Sequence, residues 1–528
     1  MHHLLRDGHV AALVVVAAAL FTPSAQAVPL VAAGQVETST TNPLAACPPD
    51  GSGIVFPGSE VEPWLEVNPV NPGNVVAFYQ QDRYSNGGAK GVVAAVSVNG
   101  GTSWTQVPVP ALYRCAPGGG PFERATDPWI SFSPNGVLHG MTLSIDPDPP
   151  TGGFGDNAMI YNRSTNGGLT WQAPIVLRQD TDPNYLNDKN SMTADPNHSN
   201  LVYAVWDRAQ DPSRAQHATE NPIGRGFKGP IWFTRTTNGG DSWEPARKIY
   251  ESGANKQTIG NQIVVRPEAV GGELFDFFGD IVNRSRRRGG IGPVLISFIV
   301  STDHGATWSK PRSIDDQLPM SLFRGSSTLD LEPHPCPNGD PDGPCPIRGG
   351  DFIPEVAVNE SNGNLYAVWM DARFSFFQTG AFRWDSVAYS QSTNGGRTWS
   401  PPIQVNATPP GSPQNSQAFT PSVDVGADGT VTVTYYDFRN NTASPATLDT
   451  SYFAIHCHAA TENCANRASW NEETPVGSTF DIREAAFARG YFLGDYMGLD
   501  NAGNAFLAGF GSTLGGGPSS IFASRLAP

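Results

Sequence analysis

One octapeptide recurs five times along the 528 residues: Ser97-Val-Asn-Gly-Gly-Thr-Ser-Trp104, Ser164-Thr-Asn-Gly-Gly-Leu-Thr-Trp171, Thr236-Thr-Asn-Gly-Gly-Asp-Ser-Trp243, Ser301-Thr-Asp-His-Gly-Ala-Thr-Trp308 and Ser392-Thr-Asn-Gly-Gly-Arg-Thr-Trp399. Asn, Asp and Gly enter left-handed turn conformations, and Asn or Asp oxygens accept hydrogen bonds from nearby backbone N–H groups. Each copy therefore reads as a tight turn closed by a Trp, expected to act as a hydrophobic plug at the start of the next strand. A unit repeated this often implies one supersecondary element used many times, which overrides the prior of about three domains for a chain of this length. Composition agrees. The 57 Gly and 46 Pro punctuate many short elements, and 39% hydrophobic residues exclude a disordered chain.

Ahead of most copies come a first strand, a turn rich in Asn and Gly, and a second strand. Pro354 to Val358, Glu360 to Asn364 and Leu365 to Trp369 form one such set. Alternating apolar positions with β-branched and aromatic residues mark the strands. First strands are expected to start at Pro63, Pro128, Ser191, about Gln262, Pro354, Pro421 and Gly494, each with room for a four-stranded sheet. The octapeptide resembles the Asp-box, or bacterial neuraminidase repeat, of the sialidase superfamily, Ser/Thr-x-Asp-x-Gly-x-Thr-Trp, with Asn replacing Asp in four of the five copies. The resemblance implies an all-β fold, a β-propeller of four-stranded antiparallel blades in which the box joins the third strand to the fourth. Five units keep the box, the sixth has the Cys457 to Cys464 segment in its place, and the seventh has room for three strands before Pro528. A segment between Val28 and Val55 is expected to supply the missing strand and close the ring, which removes exposed sheet edges. Seven blades follow from this count. Sialidase catalytic domains are six-bladed, so six is the alternative.

Residues 1–27 read as a secretory signal: Arg6, an apolar run from Val10 to Phe21, and the small-residue pattern Ala25-Gln26-Ala27. That apolar run is too short for a helix spanning a bilayer of roughly 30 Å. Residues 28–528 are then one secreted, monomeric domain without a membrane anchor. Six Cys in an exported chain favour disulfides. Short local loops make Cys336–Cys345 and Cys457–Cys464 the economical pairs, leaving Cys47 with Cys115. No Cys-x-x-Cys and no His pair at the spacing of a known metal motif suggests zinc. No cofactor is expected, with calcium at the loop carrying Asp146, Asp148 and Asp156 as the alternative. A net charge of -16, with one basic run at Arg284, Arg286, Arg287 and Arg288, argues against nucleic-acid and anionic-membrane partners.

If the box occupies one face, the long insertions gather on the other: Arg208 to Pro230, Arg284 to Gly290, Ser309 to Gly350 and Phe374 to Trp384. Variable loops around a central channel are where a propeller binds ligands. Second strands end there in Asp82-Arg83, Asp207-Arg208, Asp371-Ala-Arg373 and Asp437-Phe-Arg439. Such pairs either tie neighbouring segments or present arginine forks to a carboxylate. First-strand entrances add Asp127, Asp351, Glu355, Asp495 and Tyr496, and Trp384 closes an aromatic loop suited to stacking on sugar or to a local core.

The resemblance implies three arginines on a substrate carboxylate, a Tyr nucleophile assisted by Glu, and an Asp acid/base. Mapped here, Arg83, Arg208, Arg373 and Arg439 are candidates for the first role, Tyr436 or Tyr496 for the nucleophile, Glu355 for its partner, and Asp127 or Asp495 for the acid/base. The family's early Phe/Tyr-Arg-Ile-Pro signature is absent. The reading is a secreted sialidase-like glycoside hydrolase acting on a carbohydrate or glycoconjugate. The alternatives are a polysaccharide lyase and a non-catalytic binding propeller, and fold alone does not choose among them.

Overall fold

The computed structural model describes residues 29–211, 228–283, 291–314, 347–350, 352–375, 384–410, 413–442 and 447–528. The signal-like segment, the basic run, Asp351 and the Cys336–Cys345 pair lie outside them. Among the described residues nearly all regular structure is strand, beside one four-residue helix, Pro413–Ser416, and short 3-10 turns.

The strands pair in chain order as four-stranded antiparallel meanders, seven among the described residues. Their first strands are Glu60–Val67, Arg124–Phe132, Tyr185–Ala194, Lys256–Val265, Glu355–Val358, Ala418–Val425 and Gly498–Ala502. Each lies against the next, and Gly498–Ala502 lies against Glu60–Val67. The fourth strand of the seventh meander is Val31–Glu37, antiparallel to Ser520–Ala527. Single ladders also link the first meander to the second, Ala89 opposite Ala125, and the third to the fourth through Lys228–Gly229. The inner and middle strands, such as Val75–Arg83 and Val202–Gln210, are almost entirely buried, whereas Val31–Glu37 is mostly open to solvent.

Five first strands begin earlier than their sequence suggests. Proline has no N–H to give to a ladder, which argued for strand starts at Pro63 and Pro128. The structure instead carries the strand through the proline on a β-bulge, with register shifts between Val61 and Trp64 and between Thr126 and Trp129. The bulge exempts the proline from pairing and turns the residue before it into the left-handed region, at φ 53° for Glu62 and 50° for Asp127. Lys189, Gly260 and Thr420 occupy the same position in three other meanders, at φ 46°, 67° and 47°.

The boxes form hairpin turns whose Asn and Asp do equivalent work. Asn99 Oδ1 accepts from Ser103 N at 3.0 Å while its amide donates to Ser103 Oγ at 2.9 Å. In the one Asp copy, Asp303 Oδ1 accepts from Thr307 N at 2.8 Å and Oδ2 accepts from the Thr307 hydroxyl at 2.6 Å. The hydroxyl reverses its role by rotating, so either residue completes the turn. The Trp corrects the expectation of a plug within its own next strand, because it packs backwards onto the preceding meander. Trp171 meets Phe78 at 5.6 Å, Trp243 meets Tyr161 at 4.8 Å, Trp308 meets Phe233 at 5.4 Å and Trp399 meets Phe277 at 5.7 Å between ring centroids. In Trp104 and Trp308 the indole N–H donates to the box's own Gly carbonyl, at 3.0 and 3.2 Å, which helps hold the ring over the turn. The boxless sixth meander keeps the device. Trp470 packs on Tyr389 at 4.8 Å, and its indole N–H donates to Cys464 O in the Cys457–Cys464 loop. A second disulfide joins Cys47 to Cys115.

Trp243→Ala is expected to cost about 3–5 kcal/mol by opening a cavity between two sheets. Asn394→Asp, which leaves the Thr398 hydroxyl free to reverse, should change stability by less than about 0.5 kcal/mol. Urea unfolding of the two variants measures both.

Candidate functional site

The bulges aim Glu62, Asp127 and Lys189 at one another, and the entrance to the seventh meander adds Asp495. Lys189 Nζ donates to Glu62 Oε1 at 2.9 Å and to Asp495 Oδ2 at 2.6 Å, and Lys189 N donates to Asp127 Oδ2 at 3.0 Å. Arg348 approaches from the two-stranded parallel pairing of Ile347–Arg348 with Tyr491–Phe492. A side chain at Gly350 would begin 1.7 Å from Asp495 O, so only glycine lets this segment come so close. Arg348 then grips Asp495 through Nε at 3.1 Å and Nη2 at 2.5 Å. Arg83 lies over the same Phe492 ring as Arg348, at 5.0 and 4.2 Å, and donates to Gln80 Oε1 at 2.7 Å; Gln80 in turn donates to Glu62.

The electrostatics separate neighbouring carboxyls. Burial pushes Asp495 up, but Arg348 and Lys189 outweigh it and hold the group well below the usual carboxylate range. Burial also works against the Lys189 ammonium, and Asp495 with Glu62 overcomes it and keeps the charge. Burial, then the charges of Asp127 and Asp495, raise Glu62 against the pull of Lys189. Asp188 is half-buried and shares a side-chain hydrogen bond with Asp127; burial and then the Asp127 charge push it up to about 7. Burial and then the Arg348 charge bring Arg83 down to about 10. One carboxyl poised near neutrality beside one held ionised is the pattern of an acid/base site.

Beside Lys189 lies a small cavity lined by Trp129, Asn190, Asn261, Glu355 and Tyr496 among others. Asn190 Oδ1, Asn261 Oδ1 and Glu355 Oε1 are buried without a hydrogen-bond partner among the described residues. The amide donors of both asparagines are engaged, to Asp127 O at 3.0 Å and Asp207 Oδ1 at 2.6 Å, so the oxygens are the free ends. Burial raises Glu355 well above the ordinary glutamate value.

Of the residues singled out in the sequence, the structure gathers Asp127, Asp495, Tyr496, Glu355 and Arg83 around this cavity and cluster. The Tyr496 hydroxyl donates to Pro128 O at 3.0 Å, and burial, then Glu62 and Asp127, hold it well above its ordinary pKa, which opposes phenolate formation. Tyr436 does not belong to the site. It is fully buried among Phe419, Tyr452 and Phe480 with its hydroxyl given to Gly511 O at 2.7 Å, so the nucleophile role is withdrawn from it. The three arginines do not converge, because each fork is taken by a nearby carboxylate: Arg373 and Arg439 within their own meanders, and Arg208 across to the fourth strand of the second. Arg208 clasps Asp180 at 2.7 and 2.6 Å, Arg373 binds Asp371 at 2.6 Å, and Arg439 binds Asp437 at 2.6 Å and Glu473. Asp207 serves the backbone: it accepts from Thr258 Oγ1 and Asn261 Nδ2 at 2.6 Å each and from Gly260 N at 3.1 Å, fixing the fourth meander's bulge. Trp384 is 5% exposed and takes part in a local core. Asp146 and Asp148 accept from Glu123 N and Gly155 N, at 2.9 and 3.3 Å.

Sequence reading missed Lys189, Asp188 and Arg348. Lys189 carries a usable signal, since Lys189-Asn190-Ser191 aligns with Glu62-Pro63-Trp64 and Asp127-Pro128-Trp129. Arg348 carries none, as it lies in the longest insertion.

Residues 299–310 match the BNR/Asp-box repeat model, so the chain carries that repeat. No curated protein matches the sequence significantly. Among solved structures, the chain is similar to a protein of unknown function from Dyadobacter fermentans, with TM-score 0.44, 14% identity, and 90% of this chain and 97% of that chain covered. An α-L-arabinanase from Penicillium chrysogenum, complexed with arabinobiose, gives 0.40 and 15%, over 75% and 92% of the two chains. A mutant of the NanB sialidase from Streptococcus pneumoniae gives 0.41 and 12%, over 89% and 68%. None of these likenesses assigns a role to a residue of this chain.

The raised carboxyls fix the direction of pH dependence. Burial, as the largest cause, brings Asp207 to about 8 and Asp385 to about 7, against about 3.9 in an unfolded chain. Between those values the folded state binds more protons than the unfolded one at these two groups, so the stability they contribute is full below about pH 4 and is lost as pH rises to about 8. Urea midpoints measured across that range are expected to decline.

Proposed function

We propose that this chain is an exported seven-bladed β-propeller, closed by its N-terminal strand, that cleaves glycosidic bonds at the Lys189 cluster with Asp188 as general acid/base. The architectural part rests on the boxes, on the contact of Gly498–Ala502 with Glu60–Val67 and on the pairing of Val31–Glu37 with Ser520–Ala527. The observation that carries the chemistry is the placing of half-buried Asp188 against Asp127, where burial and then the Asp127 charge raise it to about 7, in the same cluster as Asp495, which its two cations keep ionised.

In this reading Asp188 gives its proton to the leaving glycosidic oxygen as the C–O bond breaks, a water molecule adds to the anomeric carbon and its released proton restores Asp188, and the ionised Asp495 favours the positive character that develops on the sugar. Arg348, the partly exposed cation of the cluster at 23% side-chain exposure, orients an acidic or hydroxyl group of the substrate. The unpartnered oxygens of Asn190, Asn261 and Glu355 accept from sugar hydroxyls. Arg348 beside an acid/base also suits proton abstraction next to a uronate, which is the lyase reading.

A screen against sialosides, neutral oligosaccharides and uronate polysaccharides separates the readings. Reducing ends without an ultraviolet chromophore support hydrolysis, unsaturated products support elimination, and saturable binding without turnover rejects both. Asp188→Asn should lower kcat by about 10²–10⁴ with KM little changed. In the wild-type enzyme acting as a hydrolase, kcat should fall as pH rises through about 7, because the acid must be protonated.

A further inference from the structure

At the opposite end of the meanders, Asp195, His198 and His304 converge from two units. Asp195 ends the first strand of the third meander, His198 lies in the turn that follows, and His304 lies in the box of the fourth. One ligand atom from each falls within 4.8 Å of the others. His198 Nδ1 is 3.6 Å from Asp195 Oδ1, too long for a hydrogen bond and close to the roughly 3.4 Å that separates two ligands about 2.1 Å from a common tetrahedral ion.

The surrounding groups prepare the same atoms. His198 Nε2 faces Glu268 Oε1 at 3.2 Å, a carboxylate behind the imidazole that places the proton on Nε2 and leaves the Nδ1 lone pair inward. His198 Nδ1 and His304 Nδ1 are both buried atoms without a hydrogen-bond partner among the described residues. The two rings stand at 85° with centroids 5.3 Å apart, so they are crossed rather than stacked. Asp195 is 1% exposed and anchored through Oδ2, which accepts from the Tyr203 hydroxyl at 2.7 Å, while Oδ1 accepts from Asn197 N at 2.8 Å and faces His198. His304 also sits at φ 53°, where the other four boxes carry Gly at 68° or 69°, so the imidazole is kept in a backbone conformation that disfavours a side chain.

We infer that Asp195, His198 and His304 bind one divalent transition-metal ion, zinc by the chemistry of the ligand set, which clamps the third meander to the fourth. Two imidazoles and a carboxylate supply three ligands and leave a fourth position for water. The second His-rich group, His456, His458 and Glu472, also leaves one nitrogen of each ring unpartnered among the described residues, but its other ring nitrogens are committed to direct hydrogen bonds. His456 Nε2 meets Glu472 Oε2 at 2.9 Å, and His458 Nδ1 meets the Thr430 hydroxyl at 3.0 Å.

The test uses the whole chain, stripped with a chelator, dialysed and titrated with zinc by calorimetry, and with cobalt by visible absorption. The expected result is one equivalent bound with a rise in Tm. Both should be lost in His304→Gly, a substitution the other four boxes show to be compatible with the turn and whose folding is checked by circular dichroism. Glu268→Gln should weaken binding about 10–100-fold. His456→Gln should leave it unchanged. Failure of the wild-type chain to bind either metal, binding that survives His304→Gly, or binding lost with His456→Gln would each overturn the assignment.

Discussion

A box tryptophan seated on the sheet before it is the contact on which the rest of this structure depends. A four-stranded meander buries little by itself, and each of the first five here gains a hydrophobic edge from the indole with which its successor reaches back. The turn that delivers the ring is insensitive to the exchange of Asn for Asp, since a rotating hydroxyl compensates. It is even insensitive to loss of the box, because the sixth meander substitutes a disulfide loop and still positions Trp470 against Tyr389. What the chain repeats is the placement of an aromatic group, and the octapeptide is the usual means.

With adjacent sheets fixed in this way, their inner strands converge, and the bulges decide what meets in the middle. The same backbone irregularity presents Glu62, Asp127, Lys189, Gly260 and Thr420. Two acids and a lysine at equivalent positions, joined by Asp495, make a buried charge cluster that no single unit could stabilise, because each carboxylate requires a cation from elsewhere in the sequence. Removing Lys189 would leave Glu62 and Asp495 short of a partner in a desolvated setting, the most costly kind of loss.

This explains which parts were legible in the sequence. The boxes, the strand pairs and the Cys457–Cys464 disulfide depend on residues close together, and the pattern displays them directly. The Asp–Arg pairs were equally visible, but three of their arginines spend their forks on nearby carboxylates and Arg83 donates to Gln80, so visibility gave no guide to function. Lys189, Asp188 and Arg348 act on partners up to 306 residues away. The feature Lys189 shares with Glu62 and Asp127 is a φ angle, which leaves no mark on residue type beyond a following Pro or Asn. His198 and His304 were hidden for the same reason: their spacing along the chain resembles no metal motif, and only the seating of one box against the turn beside it brings them together.

The pairing of Val31–Glu37 with Ser520–Ala527 has a consequence in time. Thr38 bonds to Ile521, 483 residues later. Val31–Glu37 therefore has no partner until residues nearly five hundred positions later have been made. The other six units can assemble locally, each on the one before, but the seventh needs a search between two distant segments. Contacts of such long range make that search slow, and throughout it the Ser520–Ala527 edge offers its N–H and C=O groups to any other strand in reach.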